Sequence, residues 1–206
     1  MTCLIPIKSN TDRHEETMPE MTITAYLAGP DVFLPNAREH ARRKVELCAR
    51  YGIAGRAPLD EDTGNLKALS GEMTWDKIFG QNLAMMEGSD AIIANLTPFR
   101  GASADAGTLV ELGWFLGRGR PAFGYSQVAL PFAERSRRQI AAVADPFPGV
   151  VIEEFDLPDN LMVAGALLAS GNALVVPHDG RARAFDALDL FERCVALAAA
   201  ALGGRS

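Results

Sequence analysis

Apolar residues in this chain fall in short blocks separated by longer amphipathic stretches, and the two spacings alternate. Residues 22–27 (TITAYL) are β-branched and aromatic and stop at Ala28-Gly29-Pro30, the pattern of a strand running into a loop. Pro35 precedes a stretch, 36–51, in which Ala41, Val45 and Cys48 recur at helical spacing, and Gly52 closes it. A weak strand is expected over 53–59, then a polar loop over 60–73. Thr74 is placed to cap a helix reaching Gly88, with Ile78, Leu83 and Met86 on its core side. Asp90 then opens AIIANL, an almost wholly apolar run typical of a strand buried on both faces. After a loop over 97–103, a helix is expected from Asp105 or Ala106 to Gly117, a strand over 121–125 and a helix over 135–143. A loop over 145–158, a helix over 160–169, a strand over 173–176 and an alanine-rich helix over 182–201 complete the pattern.

Strands and helices thus alternate five times. Short buried strands in that alternation specify a doubly wound five-stranded parallel sheet with helices on both faces. The expected strand order is 2-1-3-4-5, with ligands at the carboxyl ends of strands one and three, where the order reverses. Those ends carry the loops 28–35 and 97–104, both rich in Gly, Pro and polar groups. The pocket is expected there. At 206 residues, against about 150 per domain, the chain reads as one domain over 21–206 behind a polar, extended or disordered tail over 1–20, with Met21 a candidate start.

Composition narrows the partners. A net charge of −6 repels phosphate backbones, which argues against nucleic acid and anionic membranes. No apolar run approaches the roughly 20 residues that span a bilayer. Cys3, Cys48 and Cys194 are odd in number and scattered, as are His14, His40 and His178, so neither a disulfide framework nor a metal site is expected. A reducing, cytoplasmic setting follows.

The chain lacks G-x-G-x-x-G, G-x-x-x-x-G-K-[ST] and G-x-S-x-G, so dinucleotide, P-loop and hydrolase-elbow chemistry are not expected, and no cofactor is implied. A flavin phosphate would need a cradle after strand one. Ala28-Gly29-Pro30-Asp31 offers one glycine and an acid that would repel it. What the chain does have is a carboxylate pair, Asp105 and Glu111, at the start of a helix and nearly two turns along it. Two carboxylates facing one sugar can break a glycosidic bond, one at the oxocarbenium-like centre and the other on the leaving group. The structural alternatives are a plain N-cap for Asp105 and a solvated helix face for Glu111.

Four blocks in order resemble the nucleoside 2-deoxyribosyltransferases: Tyr26-Leu27-Ala28-Gly29-Pro30-x-x-Phe33; Asp90-Ala91-Ile92-Ile93-Ala94-Asn95-Leu96-Thr97-Pro98-Phe99-Arg100-Gly101; Asp105-x-Gly107-Thr108-x-x-Glu111-x-Gly113; and Leu157-Pro158-Asp159-Asn160-Leu161-Met162. The resemblance implies a flavodoxin-like fold and exchange of the base of a 2'-deoxyribonucleoside for another free base through a covalent deoxyribosyl-glutamate. It implies Glu111 as nucleophile, Tyr26 as its orienting partner and Asp105 as the acid that shares a proton with the departing base. Ala28, Gly29, Asp62, Asn82, Arg100 and Gly101 fall at substrate-binding positions. Asn160 would bind the sugar 5'-hydroxyl, and Met162 would pack against the nucleoside, in a neighbouring subunit's pocket, so a homo-oligomer with shared sites is expected. Read without the resemblance, Tyr26 is a strand aromatic, Asn160 an N-cap and Met162 a core residue.

Two departures bear on the base. Asn82 stands where the family has an acid and Asp62 where it has a glutamine, and asparagine cannot supply a proton. Relatives acting on 5'-monophosphates carry a Gly/Ser/Arg-rich phosphate loop where this chain has Pro30-Asp31-Val32-Phe33, which disfavours a nucleotide substrate. Alternatives that keep the same site are a nucleoside N-glycosidase, in which water resolves the intermediate, and a non-catalytic nucleoside sensor. A receiver-type signalling domain would want an acid ending strand three, where Asn95-Leu96 stands.

Overall fold

The computed structural model describes residues 23–58, 75–143 and 147–203. The expected tail over 1–20, the loop carrying Asp62 and the cap Thr74 lie outside the described residues. Four strands, β1 (Ile23–Ala28), β2 (Ile53–Arg56), β3 (Ala91–Asn95) and β4 (Ala122–Tyr125), alternate with α1 (Ala37–Arg50), α2 (Trp75–Glu87) and α3 (Ala106–Gly117). After β4 come α4 (Phe132–Ala142), α5 (Leu161–Ala169) and α6 (Asp189–Gly203). All strand pairs are parallel, in the order β2-β1-β3-β4.

Successive strand residues point to opposite faces, and the two cores follow that alternation. Ala25, Leu27, Ile93, Phe123 and Tyr125 pack against Leu47 and Cys48 of α1 and Phe191, Cys194 and Val195 of α6. Tyr26, Ala28, Ile92, Ala94 and Ala122 face the other way, onto Met86 of α2, Leu112 and Phe115 of α3, and Val163 and Leu167 of α5. β3 is buried at every position, as an apolar run in the middle of a parallel sheet must be.

The expected fifth strand is reduced to a bridge, Val175 to Tyr125. Val175 donates to Gly124 O at 3.0 Å and its carbonyl accepts from Ser126 N at 2.8 Å. On one side the side chain of Asn172 takes the carbonyl of Ala122, at 2.8 Å, which a strand residue would otherwise occupy. On the other, Pro177 has no N–H to extend a ladder. The last helix starts at Asp189 rather than 182, because Arg183 is committed to Asp179, Asp189 and, through its backbone N–H, the carbonyl of Gln127. The loop after β1 contains a single 3-10 turn, Pro30–Phe33. Within it Asp31 is turned inward. Its carboxylate accepts from Lys44 Nζ at 2.7 Å and Asn95 Nδ2 at 2.8 Å, with His40 Nε2 at 3.6 Å. Asp31 is therefore neutralised beneath the loop and is not the phosphate-repelling group its sequence position suggested. Gly29, with φ 153°, lets this loop close onto β3, since a Cβ there would lie 2.7 Å from Asn95 Cβ.

Candidate active site

β1 and β3 are neighbours whose following helices, α1 and α3, lie on opposite faces of the sheet. The carboxyl ends of two such strands are where a parallel sheet is expected to take its ligand, and the two loops picked out in the sequence follow them. Tyr26 stands on β1, fully buried on the α3 side, its ring stacked on Phe115 at 6.1 Å. Its hydroxyl donates to Glu111 Oε1 at 2.6 Å. Glu111 is thus held against the sheet rather than on a solvated helix face. Burial pushes its carboxyl up to about 7; the nearby Asp105 charge adds to the rise, while the Tyr26 bond opposes it. The phenol of Tyr26 is itself driven well above its ordinary value by burial first, and then by the Glu111 charge.

Asp105 does cap α3: its Oδ2 accepts from Thr108 N at 3.0 Å and Thr108 Oγ1 at 3.2 Å. The cap fixes the carboxylate at the mouth while leaving it close enough to act on Glu111. Ala28 is buried at the end of β1, and Gly29 forms the close approach described above. Asn82 is half-buried on α2, on the α3 side of the sheet. Asp62 lies outside the described residues.

Arg100, left-handed at φ 55°, and Gly101 lie exposed in the loop after β3. The Arg100 guanidinium sits 4.8 Å from the Phe99 ring and 5.6 Å from that of Phe33, and the two rings stack at 5.5 Å. Phe185 adds a tilted contact to Phe99 at 6.2 Å. This aromatic group ties the two mouth loops together. The motif blocks contained Phe33 and Phe99 without a role; Phe185, far along the chain, carried no signal.

Asn160 and Met162 stand at the start of α5. Asn160 is its N-cap, accepting from Met162 N at 3.0 Å and donating through Nδ2 to Glu153 Oε2 at 2.9 Å. Met162 is 70 % exposed and so is not the core residue that spacing alone would suggest. Glu153, Asp159 and Arg135, which surround this start, went unassigned in the sequence. Asp159 stands in the fourth motif block without a role, and Glu153 and Arg135 carried no signal. Among the described residues, no group of three or more His, Cys, Asp or Glu is placed to hold a metal ion. No helix among them is long and apolar enough to cross a membrane.

Comparison with known proteins bears on this geometry. A protein of Schizosaccharomyces pombe, uncharacterised, is 35 % identical over 123 residues, 59 % of this chain and 58 % of that protein, so the chain spans somewhat more than half the length of this relative. The structure of a 2-desoxiribosyltransferase from Leishmania mexicana matches with a TM-score of 0.59 at 28 % identity, covering 86 % of this chain and 97 % of that one. A conserved protein from Enterococcus faecalis shares the fold, with a TM-score of 0.53 at 16 % identity over 85 % of this chain and 98 % of its own. The family model for nucleoside 2-deoxyribosyltransferase matches residues 25–162, a span that starts beside Tyr26 and ends at Met162. The chain belongs to the nucleoside 2-deoxyribosyltransferase family.

Proposed function

We propose that this protein transfers 2-deoxyribose from a 2'-deoxyribonucleoside to another free nucleobase through a deoxyribosyl-glutamate on Glu111. The observation that carries the reading is the 2.6 Å bond from a buried tyrosine to a half-buried carboxylate beside a second, capped one. Tyr26 holds Oε1, which aims Oε2 at the anomeric carbon. As the C–N bond breaks, the carboxylate forms an ester and Asp105 shares a proton with the departing base. A second base then attacks the same carbon, Glu111 leaves, and two displacements keep the β configuration.

The reading extends to a homo-oligomer in which Asn160 binds the 5'-hydroxyl, and Met162 packs against the nucleoside, in a neighbouring subunit. It is supported by α5, an apolar helix that leaves Met162 and Leu168 70 % and 74 % exposed. Base salvage in a reducing, cytoplasmic setting fits the buried free thiols of Cys48 and Cys194. The deciding experiment incubates 2'-deoxyinosine with the protein, with and without adenine, and follows products by chromatography. Formation of 2'-deoxyadenosine, abolished by Glu111→Ala, is the expected result. Hypoxanthine released equally in both tubes makes the protein a hydrolase, and no reaction with either 2'-deoxyinosine or thymidine overturns the enzyme reading.

A further inference from the structure

Asp159 has no exposed surface, yet it is a carboxylate that meets four donors. Its Oδ1 accepts from Asn160 N at 2.7 Å and from Ser103 Oγ; its Oδ2 accepts from Ala104 N at 3.2 Å and Arg135 Nη2 at 3.3 Å. Arg135, also buried, donates onward to the carbonyls of Ala102 at 2.7 Å, Pro158 at 2.9 Å and Leu130. One ion pair therefore ties the loop leading into Asp105 to the turn leading into Asn160. Oδ2 serves Ala104 and Arg135, while Oδ1 is shared by Ser103, of the same loop before α3, and the backbone N–H of Asn160.

We propose that Asp159 is a positioning residue that sets Asn160 for the 5'-hydroxyl of the substrate, through the bond it accepts from Asn160 N–H, separately from the bonds it accepts from Ser103 and Ala104 before α3. The inference rests on the deoxyribosyltransferase reading above and assigns a residue that the reading itself leaves out. The chemistry of Asp159→Asn makes it separable. The amide oxygen of an asparagine stays with Ala104 N–H and Arg135, which only donate and one of which is charged. Its NH2 then faces the Ser103 hydroxyl, which can turn to accept, and Asn160 N–H, which cannot. The substitution therefore leaves Asn160 N–H, alone of the four donors, without its acceptor. Glu153 still accepts from Leu161 N at 2.8 Å and Asn160 Nδ2, so α5 remains capped.

The test uses the full chain and two donors, 2'-deoxyinosine and 2',5'-dideoxyinosine, with adenine as acceptor. The wild-type protein is expected to prefer the donor with the 5'-hydroxyl. In Asp159→Asn, kcat/KM for 2'-deoxyinosine is expected to fall about tenfold, mostly through KM, the size of one missing hydrogen bond. The dideoxy donor is expected to stay within about twofold, so that the preference collapses as it does in Asn160→Ala. An equal loss on both donors would mark Asp159 as merely structural and overturn the inference. So would a wild-type protein indifferent to the 5'-hydroxyl. A wild-type protein inactive on every 2'-deoxyribonucleoside overturns the functional reading and this inference with it. Where Asp159→Asn yields no soluble protein, Ser103→Ala tests the other half: it removes a bond to the loop before α3 and leaves the one from Asn160 N–H, so both donors should slow by the same factor. A collapsed donor preference in that variant overturns the separation of the Asn160 bond from those to the loop before α3.

Discussion

In the proposed transfer Glu111 must be charged to attack carbon, in a place where burial opposes charge. Its carboxyl stands at about 7 instead of near 4.5, and the Tyr26 bond is what keeps it from rising further. The expected kcat/KM therefore climbs with pH through about 7, as the nucleophile ionises. Tyr26→Phe should move this acid limb to higher pH and lower the plateau, measured as a pH–rate profile. A Tyr26→Phe limb left where it was would separate the tyrosine from the titration of Glu111. The same raised value has a cost in stability. A folded-state pKa above the unfolded one means that Glu111 stabilises the fold when protonated and loses that contribution as pH rises through about 7. Glu111→Gln should then stabilise the fold at about pH 8, by up to roughly 3 kcal/mol, and leave it nearly unchanged at about pH 4. Thermal melts at the two pH values check both signs.

At the level of elements, the site depends on how the loop after β1 is clamped onto β3. Burial opposes the Asp31 charge, but Lys44 and His40 outweigh it and hold the carboxyl well below the usual carboxylate range. Removing the cation leaves that charge unpaired in the interior. Lys44→Met should cost about 3–5 kcal/mol in denaturant unfolding, and adding Asp31→Asn should recover part of the loss. Because the folded-state pKa of Asp31 is depressed, its stabilisation is present above about pH 4 and disappears as pH falls further. Asp31→Asn is thus expected to flatten the acid side of the stability curve. The clamp also explains why Gly29 is a glycine: its φ of 153° and the approach to Asn95 leave no room for a Cβ. In the same way, the carboxylate of Asp105 is both the cap of α3 and the candidate acid, because a helix start is a place where backbone N–H groups fix a carboxylate's position.

For the whole molecule, the proposed oligomer rests on the apolar outer face of α5 and the exposed Val110 of α3. Leu168→Glu should reduce the sedimentation mass and, by withdrawing Asn160 from the neighbouring site, lower kcat/KM by more than about tenfold. An unchanged mass with full activity would mean that each subunit completes its own site. The alternation of strands and helices, the buried run of β3 and the cap at Asp105 were readable in the sequence, because each depends on residues a few positions apart whose spacing sets one buried face. The motif blocks likewise carried Tyr26, Asp105 and Glu111, though not the bond between the first and the last. That bond joins residues 85 apart, and the one from Ser103 to Asp159 joins residues 56 apart. No local period records such a pairing. The reduction of the fifth strand to one bridge, the inward turn of Asp31 and the late start of α6 were also decided in three dimensions. In the first two a side chain, Asn172 or Lys44, takes the hydrogen bond or the charge that local propensity had assigned to another partner, and in the third the carbonyl of Gln127 takes the N–H of Arg183.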